Sequence, residues 1–592
     1  MIDLASTDIS VQEAHQRQQA GALLLDVREP YEFVASHAPG ALNVPLGQLA
    51  IRQAEVARER EVLVVCASGS RSALAVQLLR RAGYVSARNI SGGMLAWQYA
   101  GLPTQSESFR RAAPRVDVRA IRTAGLGDTT YILSHNGLGV VVDPQRDVDR
   151  FLDTDVVSGL RIRYVLETHV HNDYVSGGRE LARRAQAELV LPAGAGVAFE
   201  HTPAFHLEDL ADAGLVVRPI HTPGHTPEHL SYLVFADGEP AALFSGGSLL
   251  VGSAGRPDLL GEQRAHQLAL AQFHSVQRLA TLPDELALYP THGEGSFCSA
   301  GEAGRSTSTI GLEKRTNPLL RHQTAEAFAE AQLAGLQPYP AYYAFMGGIN
   351  TLGPQPLPEF RVPRLTPQAL RAQLDEVRVV DARPREAFAA GHIPGALGVE
   401  LADDFGTWVG WLVPFNAPLV LVLDAEQDLH EAVVQLERIG FDRVRGVLRG
   451  VEEWQAAGYQ MSAYDIVDAE TFARKVADGT ARQVLDVRSP AEWRTGSVPG
   501  ATWRYVPDLV AGPPSNFESD QPVWLMCASG FRASIAAGLL ERAGYRPMVL
   551  AHGGVTDVMA RARRPRGSAD TLLTSSDSPG AAVTQRNPRC NA

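Results

Sequence analysis

A chain of 592 residues is too long for one hydrophobic core, and at roughly 100–200 residues per domain it should divide into about three to five. Its 45% apolar and 20% charged residues are those of an ordinary globular protein, which excludes a fibrous or wholly disordered chain. The formal net charge of -12 argues against nucleic acid or an anionic membrane surface as partner, since either calls for a basic patch.

The N-terminal Met1-Ile2-Asp3-Leu4-Ala5-Ser6 lacks the basic and apolar regions of a signal peptide. No apolar run reaches the ~20 residues that span a bilayer. Four cysteines, Cys66, Cys298, Cys527 and Cys590, are too few for a disulfide framework in a chain this long. A cytoplasmic protein with reduced thiols is expected.

In chain order, the first predicted element is the apolar run Leu23-Leu24-Leu25, followed by Asp26-Val27-Arg28 and then Glu32-Phe33. A turn at Pro39-Gly40-Ala41 follows, then a second run, Val62 to Val65, that ends at Cys66. Short, continuous apolar runs bounded by turn residues read as buried parallel strands, and a helical pattern continues from Ala73 to Arg81. The polar stretch 104–114 reads as a linker.

About 250 residues of different character come next, enough for one further domain. After the Tyr164-Val165-Leu166 run they contain Thr168-His169-Val170-His171-Asn172-Asp173-Tyr174. Further on come His221-Thr222-Pro223-Gly224-His225-Thr226-Pro227-Glu228-His229, Phe244-Ser245-Gly246-Gly247-Ser248 and Tyr289-Pro290-Thr291-His292-Gly293. Imidazoles at His-x-His spacing after a strand, with another from a separate loop, can form a facial metal-binding set. A second proline-rich linker is expected at 353–367.

The opening pattern then returns twice. Val379-Val380-Asp381-Ala382-Arg383 precedes the turn Pro394-Gly395-Ala396, and Val484-Leu485-Asp486-Val487-Arg488 precedes Pro499-Gly500-Ala501. In the last copy the run Val523 to Met526 ends at Cys527, with a helical pattern from Ala533 to Arg542. Strand, loop and helix repeated in this way predict doubly wound α/β domains. The Ser/Gly/Pro/Arg-rich stretch 564–592 reads as a disordered tail.

The two cysteine loops are Cys66-Ala67-Ser68-Gly69-Ser70-Arg71 and Cys527-Ala528-Ser529-Gly530-Phe531-Arg532. A loop between a strand and a helix N-terminus points backbone N–H groups at the cysteine and favours its thiolate. Arg71 and Arg532 each add an anion-binding fork. Four residues separate Cys from Arg in both loops. That is one fewer than in cysteine phosphatases, and the tighter loop suits a single sulfur better than a phosphate. The second copy has Asp424 at the cysteine position and no arginine at the right spacing, so it is expected to be inactive. Phe531 in place of Ser70 makes the second pocket more apolar.

These loops, with the Asp-x-Arg and Pro-Gly-Ala elements, resemble the rhodanese family. The resemblance implies that Cys66 and Cys527 are catalytic, with Arg71, Arg532, Gly69 and Gly530 around the substrate. Each cysteine would take a sulfane sulfur from thiosulfate or glutathione persulfide and pass it to a thiol. The central segment resembles the metallo-β-lactamase fold, in its glyoxalase II and persulfide dioxygenase branch, and Gly255-Arg256-Pro257-Asp258-Leu259 fits that branch too. This second resemblance implies metal ligation by His169, His171, Asp173, His225 and His292. Persulfide dioxygenases hold one Fe(II) with two His and one Asp, leaving positions open for persulfide and O₂. Relatives of the central domain also imply a homodimer.

Two departures stand out. Tyr174 replaces the final histidine of the family's His-x-His-x-Asp-His, and Gly247 replaces the aspartate that bridges two metals or completes the iron site. Three readings of the centre follow: one iron, a thioester hydrolase with two zinc ions, or a metal-free domain within a sulfur-relay scaffold. The expected architecture is multidomain α/β. It comprises three rhodanese-like doubly wound parallel-sheet domains at 1–103, 365–460 and 463–562, and one αββα metallo-β-lactamase sandwich at 116–350.

Overall fold

The computed structural model describes residues 8–28, 33, 37–46, 49–100, 102–104, 116–123, 125–152, 157–293, 296–298, 307–357 and 359–562. The expected tail at 564–592, with Cys590, and nearly all of the linker at 104–114 lie outside the described residues.

The first copy is a five-stranded parallel sheet. Its strands run Asp8–Ile9, Arg88–Ile90, Val62–Val65, Leu23–Asp26 and Leu42–Asn43 across the sheet. The unbroken apolar runs follow from burial on both faces. Leu24, Leu63 and Val65 pack against the helices Val11–Gln19 and Gly93–Tyr99, while Leu23, Leu25, Val62 and Val64 meet the helix Ser70–Arg81. The third copy repeats this order with Asp465–Asp468, Arg546–His552, Pro522–Met526, Gln483–Asp486 and Thr502–Trp503. The second copy keeps four strands, Leu397–Gly398, Arg378–Asp381, Leu419–Leu423 and Val444–Arg449. Its edge is reduced to a single bridge between Arg364 and Val447, so part of the expected linker at 353–367 is packed against the sheet.

Two recurring motifs are structural. In each copy the Asp-x-Arg pair is a buried ion pair: Arg28–Asp26 at 2.6 Å, Arg383–Asp381 at 2.7 Å and Arg488–Asp486 at 2.7 Å. Leaving one buried partner uncompensated costs about 3–5 kcal/mol, which explains why the cysteine-less copy keeps the pair. Each Pro-Gly-Ala turn places its glycine at positive φ, +74° at Gly40, +79° at Gly395 and +82° at Gly500.

The central domain is an αββα sandwich of two six-stranded sheets. Its inner core joins Leu133, Val142 and Leu166 of one sheet to Val217, Tyr232 and Phe244 of the other. The helix Gly178–Ala185 covers the first sheet; Glu262–Leu279 and Ala325–Ala334 cover the second. One continuous apolar core runs from Tyr342 and Met346 of this domain through Trp408 and Leu421 of copy two to Leu525 and Ile535 of copy three. Ion pairs seal the first of these contacts, Arg146–Asp442 at 2.5 Å and Arg438–Asp147 at 2.6 Å.

Candidate functional site

Cys66 follows the strand Val62–Val65, and the helix Ser70–Arg81 begins four residues later. The helix therefore starts within the loop itself, earlier than its apolar pattern indicates. Gly69 turns the chain at φ +101°, and its N–H donates to Cys66 Sγ at 3.1 Å. The Ser72 hydroxyl donates to the same sulfur at 3.3 Å. Burial works against a thiolate, but the Ser72 hydroxyl and the N–H groups of Ser72, Gly69 and Ser68 outweigh it and hold the thiol below its ordinary range. Removing the hydroxyl in Ser72→Ala should move the pH profile of Cys66 alkylation upward and slow alkylation at pH 7 roughly threefold. An unmoved profile in the variant would remove Ser72 from this role.

Cys527 stands the same way after Pro522–Met526, with Gly530 at φ +90° donating to its Sγ at 3.1 Å. A Cβ at Gly530 would lie 2.5 Å from the Ala551 carbonyl oxygen, so only glycine fits. Ala533 occupies the place of Ser72, and this sulfur has no counterpart of that hydroxyl. Arg532 is instead fixed by Glu492, at 2.5 and 2.7 Å. Burial opposes the Glu492 carboxylate, yet Arg532 brings it down to about 2. Arg71 holds the equivalent place at the start of the first helix.

In copy two the loop after Leu419–Leu423 closes on itself. Gln427 accepts from the Asp424 N–H at 2.9 Å, and Arg449 donates to the carbonyls of Asp424 and Gln427 at 2.9 Å each. It offers no thiol.

The four histidines and one aspartate expected at the centre, His169, His171, His225, His292 and Asp173, meet at one buried pit. The donor atoms of His169, His225 and His292 lie within 4.8 Å of one another, as do those of His171, Asp173 and His292. Each ring is aimed through one nitrogen and open through the other. His169 Nδ1 meets Thr168 Oγ1 at 2.8 Å, His225 Nδ1 meets the Arg256 carbonyl at 2.8 Å, and His292 Nδ1 meets Asp128 at 2.8 Å. His171 turns Nε2 to Glu167 at 2.9 Å, beside Tyr174 at 3.0 Å. That leaves His169 Nε2, His171 Nδ1, His225 Nε2, His292 Nε2 and Asp173 Oδ1 buried with no hydrogen-bond partner among the described residues. Buried polar atoms are rarely left unpaired, and convergent imidazole nitrogens oriented by outer partners form the donor set of a metal ion.

Burial and the neighbouring imidazoles push His169 well below its ordinary value, and burial with His292 brings His225 down to about 3. Both are thus neutral, the form a metal requires. Burial would depress His292 as well, but Asp173 and Asp128 outweigh it and lift it to about 10, so ligation there displaces a proton.

The family's missing carboxylate has no space to return. A Cβ on Gly247 would lie 2.2 Å from His225 Cδ2, and the Gly247 N–H donates to His229 Nε2 at 2.9 Å. His229 therefore supports the backbone and is not aimed at the pit. Tyr174, where a ligand histidine was expected, stacks on His171 at 4.4 Å between ring centres. Cys298 was not singled out by the sequence, yet its Sγ donates to Asp173 Oδ2 at 3.4 Å. Burial, then Asp173 and Asp128, push its thiol well above the ordinary range. The only signal for it is its place six residues after His292.

Parallel α/β domains with cysteine loops, joined to a sandwich with a histidine-lined pit, define a sulfurtransferase-type protein fused to a metallohydrolase-type domain. The rhodanese-like domain family matches residues 10–100, 366–457 and 468–561, and the metallo-beta-lactamase superfamily matches 122–292. A sulfurtransferase of Allochromatium vinosum is 40% identical over 81 residues, covering 14% of this chain and 76% of that protein. A hydroxyacylglutathione hydrolase of Pseudomonas entomophila is 32% identical over 215 residues, covering 31% of this chain and 77% of that protein. The crystal structure of a metallo-beta-lactamase from Staphylococcus aureus superposes with a TM-score of 0.51 at 27% identity, covering 57% of this chain and 99% of the other. The chain belongs to the rhodanese-like sulfurtransferases and, through its centre, to the glyoxalase II-like branch of the metallo-beta-lactamase superfamily.

Proposed function

We propose that this protein moves sulfane sulfur through persulfides on Cys66 and Cys527, and that its central domain oxidises a persulfide at one metal ion. With thiosulfate as donor, the cysteine thiolate forms an S–S bond to the outer sulfur. The S–S bond of thiosulfate breaks, and its electron pair leaves with sulfite. The Gly69, Gly530 and Ser72 donors stabilise the thiolate that attacks and the persulfide anion that results. Transfer onward is the same exchange in reverse, with a small thiol such as glutathione as acceptor. The donors and acceptors are small molecules, and the proposed setting is the cytoplasm; no helix among the described residues is long and apolar enough to cross a membrane.

The observation that carries the central part is the set of unpaired buried donors on His169, His171, His225 and His292. His169 and His225 hold the ion, with a third ligand from His171 or His292 and Asp173 alongside. Iron(II) would supply one-electron chemistry with O₂. The protein's part is to keep His169 and His225 neutral, to aim them and His171 through Thr168, Arg256 and Glu167, and to exclude water by stacking Tyr174 on His171. The dinuclear zinc hydrolase is disfavoured, because its bridging carboxylate has no room at Gly247 and Tyr174 stands in for a ligand.

Metal analysis with oxygen-uptake measurement tests this reading on the full chain. About one iron per chain and O₂ consumption stoichiometric with glutathione persulfide are expected. Two zinc ions with thioester hydrolysis would put the hydrolase in its place, and no oxygen uptake by an iron-loaded sample would leave a relay scaffold.

A further inference from the structure

The copy without a cysteine covers the cysteine-loop helix of copy three. Along Phe531–Arg542, Ile535 and Leu539 are buried, and a Cβ at Gly538 would lie 3.4 Å from the Ala396 carbonyl oxygen. Glu541 accepts from His392 Nε2 at 2.6 Å. In copy one the same helix face is open: Leu74 and Leu78 occupy the places of Ile535 and Leu539 and are 49% and 39% exposed. The two cysteine loops thus sit in different settings although their sequences are nearly the same.

Arg385 extends from copy two past this contact to the loop itself. Its Nη1 donates to the Ser529 carbonyl at 3.3 Å, and its guanidinium lies 5.5 Å from the centre of the Phe531 ring. Its Nε is anchored on Glu400 at 2.7 Å. Ala528 and Ser529 are exposed, so Arg385 stands at the rim of the Cys527 loop. A narrow crevice of about 10 Å³ lies beside it, lined in part by Arg383, Phe388, Glu400, Phe531 and Ile535. Within copy three, Arg532 donates to Glu492 through both of its Nη atoms, whereas Arg385 meets Glu400 through Nε.

We propose that Arg385 is a positioning residue of the Cys527 site, lent by the cysteine-less copy, that selects anionic sulfane donors of the thiosulfate class. The inference rests on Cys527 as a sulfur carrier and adds what directs its donor. A dianion approaching the loop passes a guanidinium held in place on both sides, by Glu400 and by the Ser529 carbonyl. Pre-anchored arginine forks favour oxyanions over neutral donors. Copy two thereby has a role although Asp424 cannot carry sulfur, and the Cys66 loop, with no such cover among the described residues, is left less selective.

The test uses the full chain carrying Cys66→Ser, so that sulfur transfer to cyanide reports on Cys527 alone. Arg385→Ala should raise KM for thiosulfate about tenfold with kcat within twofold, while leaving KM for an uncharged organic trisulfide within twofold. Arg385→Lys should recover part of the loss, since it restores charge without the fork. An unchanged thiosulfate KM in Arg385→Ala would overturn the proposal, as would an equal rise for both donors, which would mean that Arg385 only supports the loop. Mass measurement of the persulfide on Cys527 separates the two levels. If Cys527 takes up no sulfur with Arg385 intact, the carrier reading itself falls and this inference with it.

Discussion

Replacing Cys66 and Cys527 together with serine abolishes sulfur transfer from thiosulfate to cyanide or thiols, by at least about a thousandfold, while either single replacement leaves measurable turnover. The expectation follows from what each remaining group can do. A serine hydroxyl at the same place has no thiolate to offer and forms no persulfide. Asp424, at the cysteine position of copy two, carries a carboxylate and no sulfur, and its backbone N–H and carbonyl are tied to Gln427 and Arg449. Cys298 is fully buried, and its thiol is pushed up by burial and by Asp173, so it cannot substitute. Stopped assays of sulfite release and thiocyanate formation on the wild-type, single and double variants decide it. Transfer retained in the double variant would remove both cysteines from the mechanism. The single variants also show how labour divides, because Ser72 and an open helix face surround Cys66, whereas Phe531, Arg385 and a covered face surround Cys527.

What the sequence disclosed follows the range of the interactions. The parallel sheets were legible because a strand buried on both faces needs an unbroken apolar run, and Leu23-Leu24-Leu25 or Val62 to Val65 admit little else. The αββα sandwich came from the histidine motifs and from resemblance, not from periodicity. The convergence of His169, His171, Asp173, His225 and His292 was foreseen because each lies in a short motif after a strand. Three features were hidden because they depend on contacts between segments well separated along the chain. The reason Gly247 cannot be an aspartate is the ring of His225. The place of Cys298 depends on Asp173, 125 positions away. The packing of copy two between the central domain and the Cys527 loop depends on the helix Phe405–Leu412, whose Trp411 meets Phe297 at 4.7 Å and whose Trp408 meets Phe531 at 6.1 Å. Nothing local in that helix names those partners.

The second large effect is expected at the centre. In His225→Ala, bound metal falls from about one ion per chain to less than about a tenth, oxygen uptake with glutathione persulfide disappears, and sulfur transfer from thiosulfate stays within twofold. Loss of one neutral imidazole from a site without a carboxylate at 247 leaves too few ligands to hold a divalent ion, since Asp173 is already shared with His292 at 3.2 Å. The retained transfer separates the centre from the cysteine loops, whose sulfurs are stabilised by their own backbone N–H groups and owe nothing to the pit. Metal analysis beside the two activity assays reads all three outcomes from one preparation. A His225→Ala protein that keeps its metal would mean that His171, His292 and Asp173 form the binding set by themselves. The pit would then be organised around the second cluster of donors and not around His169 and His225.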